Sequence, residues 1–152
     1  MKSILKLALP LTVIVFILFT KWWIVQIVDG PDYIMYGFPF IYKSPAFHTS
    51  MAFQYFFIEL FVDLFIYFSI IFIVLCKLKK HVIIWMQKKI FITLIYLTMI
   101  VLLGFEIVLV TALETNISFK RDFGIELIEK TGFEFPFNNN DWEEYDKIHQ
   151  KF

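Results

Sequence analysis

The sequence predicts an all-α membrane protein: three transmembrane helices, a cytoplasmic N-terminus, a C-terminus outside, and a small extracytoplasmic cap formed by a loop and the tail. Three observations carry that expectation. Hydrophobic residues make up 59% of the chain and mean hydropathy is +0.71, whereas soluble domains run about 45 to 50% apolar. Three apolar runs, about 4–28, 51–76 and 90–113, reach the length needed to cross a bilayer. Between the second and third stand Lys77, Lys79, Lys80, Lys88 and Lys89 with His81, a basic cluster that the positive-inside rule places in the cytoplasm against lipid. The expected division is therefore a transmembrane domain over 1–113, with an outer loop at 29–50 and a cytoplasmic loop at 77–89, followed by an acidic tail over 114–152.

The first run opens with Lys2 and Lys6 and resembles a secretory signal in outline, but Trp22 and Trp23 stand where small residues would mark cleavage. It reads as a retained anchor. The next segment carries turn chemistry in Asp29-Gly30-Pro31-Asp32, Gly37-Phe38-Pro39-Phe40 and Ser44-Pro45, which predicts an ordered aromatic outer loop. Its flavour returns at Gly132-Phe133-Glu134-Phe135-Pro136-Phe137; coincidence in a Phe-rich chain is the preferred explanation, and pairing of the two in a cap the alternative.

The second run carries two opposed stripes. Tyr55, Glu59, Asp63 and Tyr67 recur every four residues, while Phe53, Phe57, Phe61, Phe65, Phe68 and Phe72 fall on the other side; at ~100° per residue the stripe centres lie roughly 170° apart. The phenylalanines are expected to face lipid or packing. With a rise of ~1.5 Å per residue, Lys21 on the first helix, Glu59 on the second and Glu106 on the third would each lie ~10 to 12 Å below the outer surface. Asp63 would lie one turn deeper. Ionisable groups at that depth are costly and turn inward toward one another, so Lys21 is the expected partner of Glu59 and Glu106, with at least one carboxyl left protonated, hydrated or bound to a cation or partner base, and Asp63 the one expected to be protonated. The plainer alternative has Lys21 snorkelling beside its tryptophans and the acids bonding helices together.

The third run contains Gly104 without a second small residue four positions away, so no close-packing pair is visible. Beyond Leu113 the tail has nine acids against five bases, a net −4. Asp141 followed by Glu144, then Trp142, Tyr145, Ile148 and Phe152 on one face, predicts a short amphipathic helix at the end.

Chemistry-bearing motifs are missing. Gly-x-Ser-x-Gly and the Gly-x-Gly-Asp setting of intramembrane aspartyl proteases are absent, the histidines at 48, 81 and 149 are dispersed rather than spaced as zinc ligands, and no glycine-rich phosphate loop occurs. Cys76 is the one cysteine and excludes an internal disulfide. Asn116-Ile117-Ser118 matches a glycosylation sequon but abuts the membrane and is discounted. Arg121, the sole arginine, is expected outside, which argues against nucleic acid. No cofactor, metal or catalytic role is expected, and the frequency of Phe, Ile, Lys and Asn reads as a low-GC bacterial genome. The expected function is a non-enzymatic accessory, interaction or immunity-type subunit of the bacterial cytoplasmic membrane that binds another membrane or extracytoplasmic protein. A homo-oligomeric proton or cation conductor using Glu59, Asp63 and Glu106, with Lys21 as gate or counter-ion, is the alternative.

Overall fold

The computed structural model describes residues 2–28, 32–46, 52–78, 84, 88–113, 115–121 and 123–134, and it corrects the expected fold class. The protein is mixed α/β. Its helices are α1 (Lys2–Leu18), α2 (Phe57–Lys77) and α3 (Lys89–Ala112), and its strands β1 (Thr20–Ile27), β2 (Asp32–Tyr36), β3 (Lys43–Pro45), β4 (Phe53–Phe56), β5 (Asn116–Ser118) and β6 (Ile125–Glu134). Among the described residues only α2 and α3 are long and apolar enough to cross a membrane, against the three runs expected. Helix α1, at 17 residues, extends about 25 Å against a hydrocarbon core of ~30 Å. The chain divides into a helical unit, residues 1–17 and 64–110, and a sheet unit, residues 18–63 and 111–152.

The first expected span fails at Leu18. Beyond it Thr20, Trp22, Trp23, Ile24, Val25 and Ile27 are β-branched or aromatic, types that suit a pleated surface. A strand buried on both faces reads as a continuous apolar run, and periodicity alone does not distinguish it from a helix. Pairing with β2 sets Trp22 opposite Tyr36 and Ile24 opposite Ile34, and on the other face Trp23 opposite Met35 and Val25 opposite Tyr33. Both faces are filled. Trp22, Ile24 and Ile34 pack with Tyr36 on one side, and Val25, Ile27, Met35 and Ile41 with Trp23, Tyr33, Phe123 and Ile125 on the other.

The sheet order is β5-β4-β3-β2-β1-β6, antiparallel throughout except for the β4–β5 pair. The outer loop expected over 29–50 thus supplies β2 and β3, and the tail expected as a cap supplies the two edge strands. Residues 119–124 join those opposite edges, and Phe123 meets the buried Phe56 ring edge-on at 5.6 Å on the way. Strand β6 lies against β1 closely enough that a Cβ at Gly132 would sit 2.5 Å from the Trp22 ring, so only glycine admits the indole there. The terminal helix expected over 141–152 lies outside the described residues.

In the helical unit Leu7 and Ala8 of α1, Leu75 of α2 and Ile95 of α3 form a buried core, ringed by Ile4, Leu11, Ile14, Phe68, Ile71, Phe72, Phe91 and Ile92. Pro10 lies inside α1 and has no N–H to offer the Lys6 carbonyl four residues earlier. The Tyr96 hydroxyl of α3 donates to that carbonyl instead, at 3.1 Å. Ile95 is the one buried residue of α3; the rest of this apolar helix contributes little to the protein's own core.

Candidate functional site

Charged and aromatic side chains concentrate in the sheet unit, around the first two turns of α2 and the loop between β2 and β3. The second expected helix begins at Phe57, because Phe53–Phe56 pairs with β3 and β5 as a strand. Tyr55 and Phe53 therefore leave the helical stripes. Glu59 and Asp63 stay four apart on one helix face, and Tyr67, in the helical unit, is buried with its ring edge-on to Phe16 at 5.5 Å.

Asp63 is fully buried, and the structure supplies the partner that the sequence did not reveal. Its Oδ2 accepts the Phe38 N–H at 3.1 Å and its Oδ1 the Phe40 N–H at 3.0 Å. One carboxylate thus satisfies two loop amides, and hydrogen bonds to a charged acceptor are roughly twice as strong as neutral ones. The loop is held from other directions as well: the Gly37 N–H donates to the Lys21 carbonyl at 2.9 Å, Trp23 Nε1–H to the Gly37 carbonyl at 2.6 Å, and the Tyr42 N–H to the Tyr36 carbonyl at 3.1 Å. Gly37 has φ +144°, and a Cβ there would collide with the Phe40 carbonyl. Glycine is required on both counts.

Lys21 is not an intramembrane counter-ion on a helix. It lies on β1, so the rise per residue used to place it level with Glu59 and Glu106 does not apply to it. Its ammonium stands 3.9 Å from the Trp23 ring centroid, 5.5 Å from Phe38 and 5.8 Å from Phe133, and it forms no ion pair among the described residues. Register produces this cage: Trp23 is two residues along the same strand face, and Phe133 is the cross-strand partner of Lys21 on β6. The two aromatic repeats meet here through Phe38 and Phe133 at 5.8 Å, so their likeness is not mere coincidence of composition.

A second cage, which sequence reasoning missed, follows from the same rule. Lys43 is opposite Tyr36 on one side and Tyr55 on the other, and its ammonium lies 4.3 Å from the Phe53 centroid, 5.5 Å from Tyr36 and 5.7 Å from Tyr55. Cation–π contacts of this kind are worth about 0.5 to 2 kcal/mol. No sequence pattern marks Lys43, because its aromatic neighbours come from the two strands that flank β3. Glu59 lies in the first turn of α2, where negative charge complements the helix dipole. Its Oε1 accepts the Arg121 N–H at 3.4 Å, while its Oε2 is buried with no hydrogen-bond partner.

The remaining predicted residues do not join this constellation. Glu106 lies half-buried on α3 within the helical unit and has no hydrogen bond or ion pair among the described residues. Phe57, Phe61 and Phe65 are exposed, whereas Phe68 and Phe72 stack at 5.9 Å against the helical core. Lys77, Lys88 and Lys89 are exposed, and Lys79 and Lys80 lie outside the described residues. Among the described residues no three His, Cys, Asp or Glu side chains come together as a metal site. What the arrangement does chemically is hold: a carboxylate and two caged ammoniums fix backbone and rings in place. No known protein family matches the chain, and comparisons with characterised proteins and with solved structures find no match either.

Proposed function

We propose that this chain is an integral membrane protein of the bacterial cytoplasmic membrane that acts without catalysis, by presenting its sheet unit to another membrane or extracytoplasmic protein. Helices α2 and α3 form the membrane hairpin. The lysines between them, Lys77 to Lys89, mark the cytoplasmic end. In the chain β4 runs into α2 and β5 comes next after α3, so with both helices spanning, the chain enters and leaves the hairpin on the side of the membrane opposite those lysines.

The observation that carries the binding role is the use of Asp63. An acid in the first turns of an apolar helix is spent on fixing an aromatic loop, Gly37 to Phe40, through two backbone N–H groups, while Phe40 at the end of that loop is left exposed. Preorganised loops on a rigid scaffold reduce the entropy lost on binding. Co-purification from native membranes after mild solubilisation tests the proposal: a partner retained by the wild type and lost with Phe40→Ala supports it, and recovery of the chain alone from every mild detergent contradicts it.

The conductor reading keeps one observation in its favour, the buried and unpartnered Oε2 of Glu59. Proton or cation flux into liposomes containing the purified protein would collapse in Glu59→Gln on that reading; absence of flux in the wild type rules it out.

A further inference from the structure

Strand β5 and the residue that follows it hold two of the most exposed apolar side chains among the described residues of the sheet unit. Ile117 is 67% exposed and Phe119 75%, yet the backbone that carries them is tightly tied. Residues 116–118 pair with Gln54, Tyr55 and Phe56 of β4, Gln54 Nε2 donates to the Ser118 hydroxyl at 2.6 Å, and the Phe119 carbonyl accepts the Ile58 N–H at 3.2 Å. That last bond satisfies one of the N–H groups left open at the start of α2. The Glu59 carboxylate then takes the Arg121 N–H. These apolar side chains are therefore held out by a fixed backbone rather than by a loose loop.

They do not stand alone. The Phe119 ring stacks on Phe57 at 6.4 Å, Phe57 lies 4.6 Å from Phe61, and Phe57, Ile58 and Phe61 are themselves exposed. An exposed Asn116 and an exposed Lys120 border the patch. An apolar surface of this kind next to a polar and basic border is the pattern of a surface that enters the boundary between headgroups and acyl chains, with the lysine near lipid phosphate. Phe57 and Phe61 also belong to α2, one of the two helices able to span.

We propose that Ile117 and Phe119, with Phe57 and Phe61, form a membrane-dipping wedge that seats the sheet unit on the bilayer surface, with Lys120 at the level of the phosphates. The inference rests on the membrane reading above and adds the surface that the sheet unit turns toward lipid. Its test uses the full chain with Cys76→Ser and a single new cysteine, Phe119→Cys, carrying an environment-sensitive fluorophore in liposomes of zwitterionic and anionic phospholipid. Ile117→Cys serves as a second probe, and Glu129→Cys on exposed β6 as the aqueous reference. The expected result is about fivefold greater quenching by headgroup-proximal spin-labelled lipid relative to iodide at 119 and 117 than at 129, as for interfacial side chains. Equal quenching at 119, 117 and 129 in protein that resists alkaline extraction overturns the wedge alone. Protection of 119 and 117 from both quenchers also overturns it, because a protein surface then covers the patch. Release of the protein by alkaline extraction overturns the membrane reading together with the wedge.

Discussion

Strand β1, the end of the expected span 4–28, and helix α3, the expected span 90–113, both come from apolar runs, yet their side chains end in opposite surroundings. In β1 the side chains of Trp22, Ile24, Val25 and Ile27 are buried, and both faces of the strand belong to the sheet unit's own core. In α3 only Ile95 is buried, while Leu97, Ile100, Val101, Phe105, Ile107 and Val108 are exposed. Apolar content alone therefore does not separate core from exposed apolar surface in a chain this greasy. The distinction lies in side-chain type and partners: β1 concentrates β-branched and aromatic residues that pair across strands, whereas α3 is one unbroken 24-residue run with few partners of its own.

The sharpest way to break the comparison is to delete the same methyl groups from each region. Ile24→Ala leaves a cavity between Trp22 and Ile34 and should cost about 2 to 5 kcal/mol, whereas Ile100→Ala on the outer face of α3 should change stability by less than about 0.5 kcal/mol. Unfolding followed by tryptophan fluorescence in one detergent reads both. Equal losses would show that α3 is packed against protein as tightly as β1.

Next in size is the carboxylate that ties α2 to the sheet. Asp63→Ala leaves the Phe38 and Phe40 amides without their acceptor and should cost about 2 to 4 kcal/mol, most of it the penalty for buried donors left unpaired. Asp63→Asn keeps one carbonyl acceptor but turns an NH₂ toward the other amide, so its loss should fall between those of alanine and wild type. A loss in the alanine variant no larger than that of an exposed substitution, such as Glu129→Ala, would show that the loop is held without Asp63.

The smallest effect belongs to the helical unit and separates repair of a helix from general packing. Tyr96→Phe removes the donor to the Lys6 carbonyl and should cost about 1 kcal/mol. In the Pro10→Ala background the restored N–H can serve that carbonyl, so the same Tyr96→Phe change should cost measurably less. Equal costs in the two backgrounds would remove the link between Pro10 and Tyr96.

Part of this architecture was legible in the sequence. The third run was placed as α3, and the helical part of the second as α2, because long unbroken apolar segments without turn residues leave few alternatives. The conversion of 20–27 into β1 was hidden because a strand buried on both sides shows no alternation. Read as a helix, that stretch sets Lys21 among acids, whereas the register with β6 places Phe133 beside it. Glu59 and Asp63 were singled out for their spacing, and that spacing holds on α2. The partner of Asp63 was invisible, since backbone N–H groups carry no sequence signature and Phe38 and Phe40 lie 25 and 23 residues away. The turn chemistry at Gly37 and Pro39 was noticed, but turn residues announce a bend and not what grips it. Lys43 left no trace at all, because three strands must assemble before its cage exists.

The difference between the two apolar regions is tested most directly by a nitroxide at Val101→Cys in the Cys76→Ser protein, reconstituted in bilayers, with its accessibility to oxygen compared with that to a water-soluble nickel chelate. High oxygen and low nickel accessibility is the expected result, because oxygen partitions into the acyl region, where the proposed membrane hairpin puts the exposed face of α3. Strong nickel accessibility would put α3 in water, and inaccessibility to both would bury it against protein; either result contradicts the proposal that α3 faces lipid.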